Sequence, residues 1–72
     1  MSVKCEVCLI NNAEVKDYRL RQGVYAKYYV CRNCFMLNDE DFFKLKYAKG
    51  DKRTVIMKIT GRDWKEYLIK ES

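Results

Sequence analysis

Two pairs of cysteines constrain this chain more than anything else in it. Cys5-Glu6-Val7-Cys8 and Cys31-Arg32-Asn33-Cys34 are C-x-x-C pairs with 22 residues between them, and the sequence has no further cysteine and no histidine. A C-x-x-C turn sets two thiolates on one side of a tight backbone knuckle. Two such knuckles complete a tetrahedral four-sulfur shell, with metal–sulfur distances of about 2.3 Å for zinc. The spacing lies just above the usual window for paired C-x-x-C zinc modules. The expected cofactor is therefore one structural Zn2+ held by Cys5, Cys8, Cys31 and Cys34.

Other uses of the four cysteines fit less well. A disulfide-stapled secreted domain is not expected, because the opening Met1-Ser2-Val3-Lys4-Cys5 carries no apolar signal region. A thioredoxin-type redox pair needs a single C-x-x-C in a βαβ setting that 72 residues scarcely provide. Rubredoxin-like iron sites share the ligand set, but that family favours glycine and proline around its knuckles, and this chain has no proline.

A chain of 72 residues is one domain with a core too small to be comfortable alone. Thiolate–metal binding supplies folding free energy directly. Reduced thiols point to a cytoplasmic or nuclear compartment. No apolar run approaches the roughly 18 residues that a membrane span requires. The formal charge is +5, from 15 Lys+Arg and 10 Asp+Glu. Four thiolates and one Zn2+ add −4 + 2 = −2, leaving about +3 in a metal-loaded form. That bias permits an acidic partner such as nucleic acid without requiring one.

Between the knuckles, residues 13–22 and 24–30 read as two strands joined at Gly23. In the second, Val24, Ala26, Tyr28 and Val30 alternate with Tyr25, Lys27 and Tyr29. After the second knuckle, residues 35–49 read as a helix with acids early, lysines late and Gly50 beyond its end. Asn38, with Asp41 three residues on, is also a good N-cap, so either the helix starts at the knuckle or a short turn intervenes. Residues 53–60 read as a strand with Val55, Met57 and Ile59 on one face. Thr60-Gly61-Arg62-Asp63 fits a capping box ahead of a short helix carrying Trp64, Tyr67 and Leu68.

The expectation is a small zinc-stabilised α+β fold, one domain over residues 1–72. A finger core over 5–49 is followed by a strand–helix extension over 50–72 packed on it. Knuckle, β-hairpin and a second C-x-x-C entering a helix resemble a treble-clef zinc finger. A zinc ribbon would carry its second pair on another hairpin with glycine close behind, whereas Phe35-Met36-Leu37 follows Cys34. GATA-type fingers share the order, although there an asparagine follows the third cysteine directly and here Arg32 does. The run Tyr28-Tyr29-Val30-Cys31-Arg32-Asn33-Cys34-Phe35-Met36-Leu37 is similar to the zinc-binding domain of the ClpX unfoldase. Small zinc-binding anti-sigma proteins look similar around the same knuckle.

Catalysis is not expected, since the chain has no histidine base and four-thiolate coordination leaves no open metal position for water. No small-molecule substrate is implied. Binding remains, and the favoured partner is nucleic acid, DNA or RNA. If Tyr28 and Val30 face the core, Tyr25, Lys27 and Tyr29 are displayed opposite, with Arg19 and Arg21 joining from the neighbouring strand and Lys16 and Arg32 close by. Cations interleaved with rings suit phosphates and bases. Strand propensity alone produces the same pattern on a solvated face. The alternative partner is a protein, as the ClpX-like resemblance implies: an adaptor or inhibitor docking on a larger machine, alone or as a homodimer, presenting Phe35, Met36, Phe43 or Tyr47.

Overall fold

The computed structural model describes residues 3–70, so Met1 and Ser2 of the opening stretch, and residues 71–72, lie outside it. The elements are a two-stranded antiparallel sheet of β1 (Val15–Arg21) and β2 (Val24–Val30), then α1 (Arg32–Phe35), α2 (Asp39–Lys46) and α3 (Lys52–Thr60), and a final 3₁₀ turn, Trp64–Tyr67. This is a small α+β arrangement.

The hairpin closes on two residues. Arg21 pairs with Val24, and Gln22 and Gly23 both take positive φ, 52° and 78°. Two left-handed residues in succession match the right-handed twist of the strands on either side. Register then fixes the faces. Val15, Asp17 and Arg19 lie opposite Val30, Tyr28 and Ala26 on the inner side. Lys16, Tyr18 and Leu20 lie opposite Tyr29, Lys27 and Tyr25 on the outer side. The alternation expected in β2 holds for Tyr28 and Val30, which are buried, while Val24 at the turn is exposed.

Two helical segments, not one, follow the second knuckle. Asn38 is the N-cap of α2, its side chain accepting from the Asp41 amide at 2.8 Å. Asp39, Glu40 and Asp41 fill the first turn and Lys44 and Lys46 the last, as the helix dipole favours. Phe42 and Leu45 of α2 are buried against Tyr28, with the Tyr28 and Phe42 rings edge to face at 5.3 Å.

The strand expected over residues 53–60 is instead helix α3. Asp51 caps its start by accepting from the Arg53 amide at 3.0 Å, and Gly61, at φ 72°, ends it in the left-handed conformation. The alternation of Val55, Met57 and Ile59 drew the strand reading. Burial decides the matter: Ile56 is 1% exposed, with Val55 and Ile59 packed beside it at helical spacing, while Met57 is 38% exposed. Lys52 reaches back to the end of α2, donating to the carbonyls of Leu45 (2.6 Å) and Lys46 (2.8 Å). The expected capping box is also replaced. Thr60 belongs to α3, where its hydroxyl donates to Ile56 O, and Asp63 alone caps the last turn through the Lys65 amide. The expected C-terminal helix is this single 3₁₀ turn.

The helical reading of residues 52–60 is tested by paired truncations. Ile56→Ala should lower the unfolding free energy by about 2–5 kcal/mol in urea titrations, and Met57→Ala by less than about 1 kcal/mol. The reverse order would mean that the strand alternation is right.

Candidate metal centre

Each knuckle is shaped before any ion is considered. In the first, the Leu9 amide donates to Cys5 O at 3.0 Å, and Leu9 takes φ 61°, which turns the chain sharply after Cys8. The Val7 amide points at Cys5 Sγ at 3.4 Å. In the second, Cys31 is the N-cap of α1 and its Sγ accepts from the Cys34 amide at 3.4 Å. The knuckles are joined through β2: Glu6 N donates to Tyr29 O at 3.0 Å, and Tyr29 N donates to the Glu6 carboxylate at 2.8 Å.

This brings all four sulfurs to within 4.8 Å of one another, and each of the four cysteines is fully buried. Cys8 and Cys31 Sγ are 3.8 Å apart. A regular tetrahedron with metal–sulfur bonds of about 2.3 Å has edges of about 3.8 Å, so this separation is that of two ligands on one ion and far longer than a disulfide bond. The four cysteines are positioned to coordinate a single metal ion.

The electrostatics agree with that use. Contact with Cys31 holds the Cys5 thiol far below its ordinary value and pushes Cys8 and Cys34 far above it, while Cys34 lowers Cys31 to about 7. Four packed sulfurs thus share protons unevenly, and burial opposes charge on each. A divalent cation placed among them would resolve the conflict by replacing those protons.

A second layer of donors surrounds the sulfurs. The Asn11 amide donates to Cys31 Sγ (3.5 Å) and to Tyr67 O (2.9 Å), while Asn11 Oδ1 accepts from Ile69 N (2.9 Å). Asn33 donates to the same Tyr67 carbonyl at 2.7 Å. The Tyr67 hydroxyl lies 3.0 Å from Cys34 Sγ. Burial, and then the neighbouring Cys34 sulfur, push that hydroxyl well above the usual tyrosine range, which keeps it a donor. Neither Asn11 nor Tyr67 stands out from the sequence as a partner of the cysteines. Nothing in local pattern pairs residues 56 positions apart.

The residues singled out for binding separate into two groups. Tyr25, Lys27 and Tyr29 share the outer face of the hairpin with Lys16, as expected. Arg19 and Arg21 do not join them, because register places both on the inner face. Arg19 is 9% exposed, and its guanidinium bonds Asp17 and Asp39, each at 2.7 Å, and Phe35 O at 3.0 Å, while lying 4.2 Å over the Phe42 ring. Desolvation works against its charge, but Asp17 and Asp39 outweigh it and raise its pKa above the ordinary value. Arg21 reaches the other way, 4.5 Å from the Tyr47 ring and 5.6 Å from Phe43. Phe43 packs on the core, Tyr47 stacks against it, and Phe35 and Met36 are exposed, Met36 at 80%. Arg32 is exposed on the first turn of α1. No helix among the described residues is long and apolar enough to cross a membrane.

Comparison of the chain with protein-family profiles, with curated proteins and with solved structures finds no match.

Three outcomes are expected. Asn11→Ala should weaken metal retention about 10–100-fold against a chromophoric chelator, the usual effect of removing a group that orients a ligand. Arg19→Ala should cost about 3 kcal/mol in urea titrations by stranding Asp17 in a buried site. Arg21→Ala should cost under about 1 kcal/mol in the same titrations.

Proposed function

We propose that this protein is a non-enzymatic, zinc-stapled binding module whose partner is nucleic acid, engaged through the outer face of the β1–β2 hairpin. Zinc is favoured over other ions because four buried thiolates in a tetrahedral set are soft ligands with no position left for water. Its binding, worth roughly 10–16 kcal/mol in small metal-dependent domains, exceeds the roughly 3–5 kcal/mol that a core of this size supplies. The order of knuckle, hairpin and second knuckle at a helix start supports the treble-clef reading. A role in transcription regulation fits such a module, and the lack of histidine argues against catalysis.

The observation that carries the partner class is a checkerboard. On the outer face Lys16 lies opposite Tyr29 and Tyr18 opposite Lys27, so that each cation faces a ring across the strands. Lys16 and Lys27 ammoniums stand 5.9 and 5.3 Å from the Tyr29 ring. Tyr18 and Tyr25 are 64% and 71% exposed, with Leu20 at 46% beside them. Strand propensity accounts for tyrosines on such a face one by one, whereas phosphates and bases use both halves of the pattern together. Tyr18 thus enters the surface in place of Arg19 and Arg21. A second reading, a protein-docking patch, rests on the exposure of Phe35 and Met36.

Binding through two lysines fixes the salt response. The slope of log K against log salt should be about −1.4 on single strands or about −1.8 on duplex, and Lys27→Gln should flatten it by roughly half. Fluorescence anisotropy across a salt series measures both. Equal retention by a variant lacking both lysines would falsify the assignment of this face. Stripping the metal with a chelator should abolish binding together with the folded circular-dichroism signature.

A further inference from the structure

Resting on the nucleic-acid reading of the hairpin, the geometry points to a narrower ligand: we propose that the outer face takes single-stranded nucleic acid, with one unpaired base held between the rings of Tyr18 and Tyr25. Tyr18 pairs with Lys27 and Tyr25 with Leu20, which makes the two tyrosines diagonal neighbours across the ladder. Diagonal neighbours on one face of an antiparallel pair stand roughly 7–8 Å apart. Stacked bases repeat about every 3.4 Å, so a ring, a base and a second ring span about 6.8 Å from first plane to last. The hairpin therefore spaces these two side chains for the thickness of one base.

Both rings are available for that use. Tyr29 is engaged by two ammoniums, Tyr28 by Phe42 and Phe43, and Tyr47 by Phe43 and Arg21. Tyr18 and Tyr25 have no hydrogen-bond or ring partner among the described residues, and they are the most exposed tyrosines described. Lys27 sits directly across from Tyr18 and two residues along the strand from Tyr25, in place to meet the phosphate of the nucleotide whose base is held. Lys16 follows two residues before Tyr18 for the next one.

Duplex is a poorer fit to the same face. A base inside a duplex already has both of its faces stacked, so paired rings gain nothing without unstacking it. The face offers lysine, tyrosine and leucine, with no asparagine or glutamine to read adenine edges and no arginine fork to read guanine. Helix α2, which follows the second knuckle, starts with Asp39, Glu40 and Asp41, and Glu40 and Asp39 are exposed. Those carboxylates repel a phosphate backbone. Stacking without edge contacts also makes the site tolerant of base identity.

The test is a thermodynamic cycle on the metal-loaded protein, with a fluorescein-labelled 12-nucleotide oligothymidylate, the equivalent oligouridylate and a 12-base-pair duplex as probes. Tyr18→Leu and Tyr25→Leu should each weaken single-strand binding about tenfold or more. Because one base needs both rings, the double variant should bind little more weakly than either single one. Metal content and circular dichroism should be unchanged in all three, since both side chains are exposed. Losses that multiply in the double variant, or singles that bind as wild type, would overturn the shared slot. Stronger binding of duplex than of either single strand would overturn the single-strand assignment while leaving the hairpin as a nucleic-acid surface. No binding of any probe, with a dimer in sedimentation that Tyr18→Lys splits, would overturn both and make the face an interface between copies.

Discussion

Four sulfur atoms converging on one point hold this fold in place. The knuckles contribute Cys5, Cys8, Cys31 and Cys34 from both ends of the hairpin, so the sheet is anchored at its base without any third strand. A two-stranded hairpin alone is marginal in water. Here one face of it packs on α2 through Tyr28 and Phe42, and its open end is closed by the cysteine cluster. The sulfur cluster and the aromatic cluster together make one continuous buried set with Val7, Val30, Leu45, Ile56 and Tyr67.

What could be read from the chain, and what could not, divides along sequence distance. The four-cysteine cluster was legible because C-x-x-C geometry is local, and the hairpin was legible because alternation and Gly23 are local. The capped start of α2 was written in Asn38 and Asp41. Residues 53–60 were misread because apolar residues at alternate positions, Val55, Met57 and Ile59, satisfy a strand while Val55, Ile56 and Ile59 satisfy a helix. The decisive marks were Asp51 before the segment and Gly61 after it, which bracket one helix. The capping box failed for the same reason, since Gly61 was already in use as the end of α3.

The faces of β1 failed for a different reason. An arginine in a strand is read as exposed, yet Arg19 is buried by a constellation that local pattern does not display. Asp17 lies two residues away and Asp39 twenty, and the Phe42 ring offers its face to the guanidinium. A buried cation is tolerable only when paired and bonded in this way. The consequence for function is direct: with Arg19 turned inward, the outer face keeps only lysines as cations, and its rings become the dominant feature.

Asn11 reaches both the second knuckle and the backbone at Tyr67 and Ile69, so one side chain ties the sulfur cluster to the end of the described chain. All four sulfurs precede α2, α3 and the final turn in sequence, yet it is the final turn that covers Cys34, through the Tyr67 hydroxyl. A chain cut between Cys34 and Tyr67 would therefore keep every cysteine while leaving Cys34 open to water and oxidants.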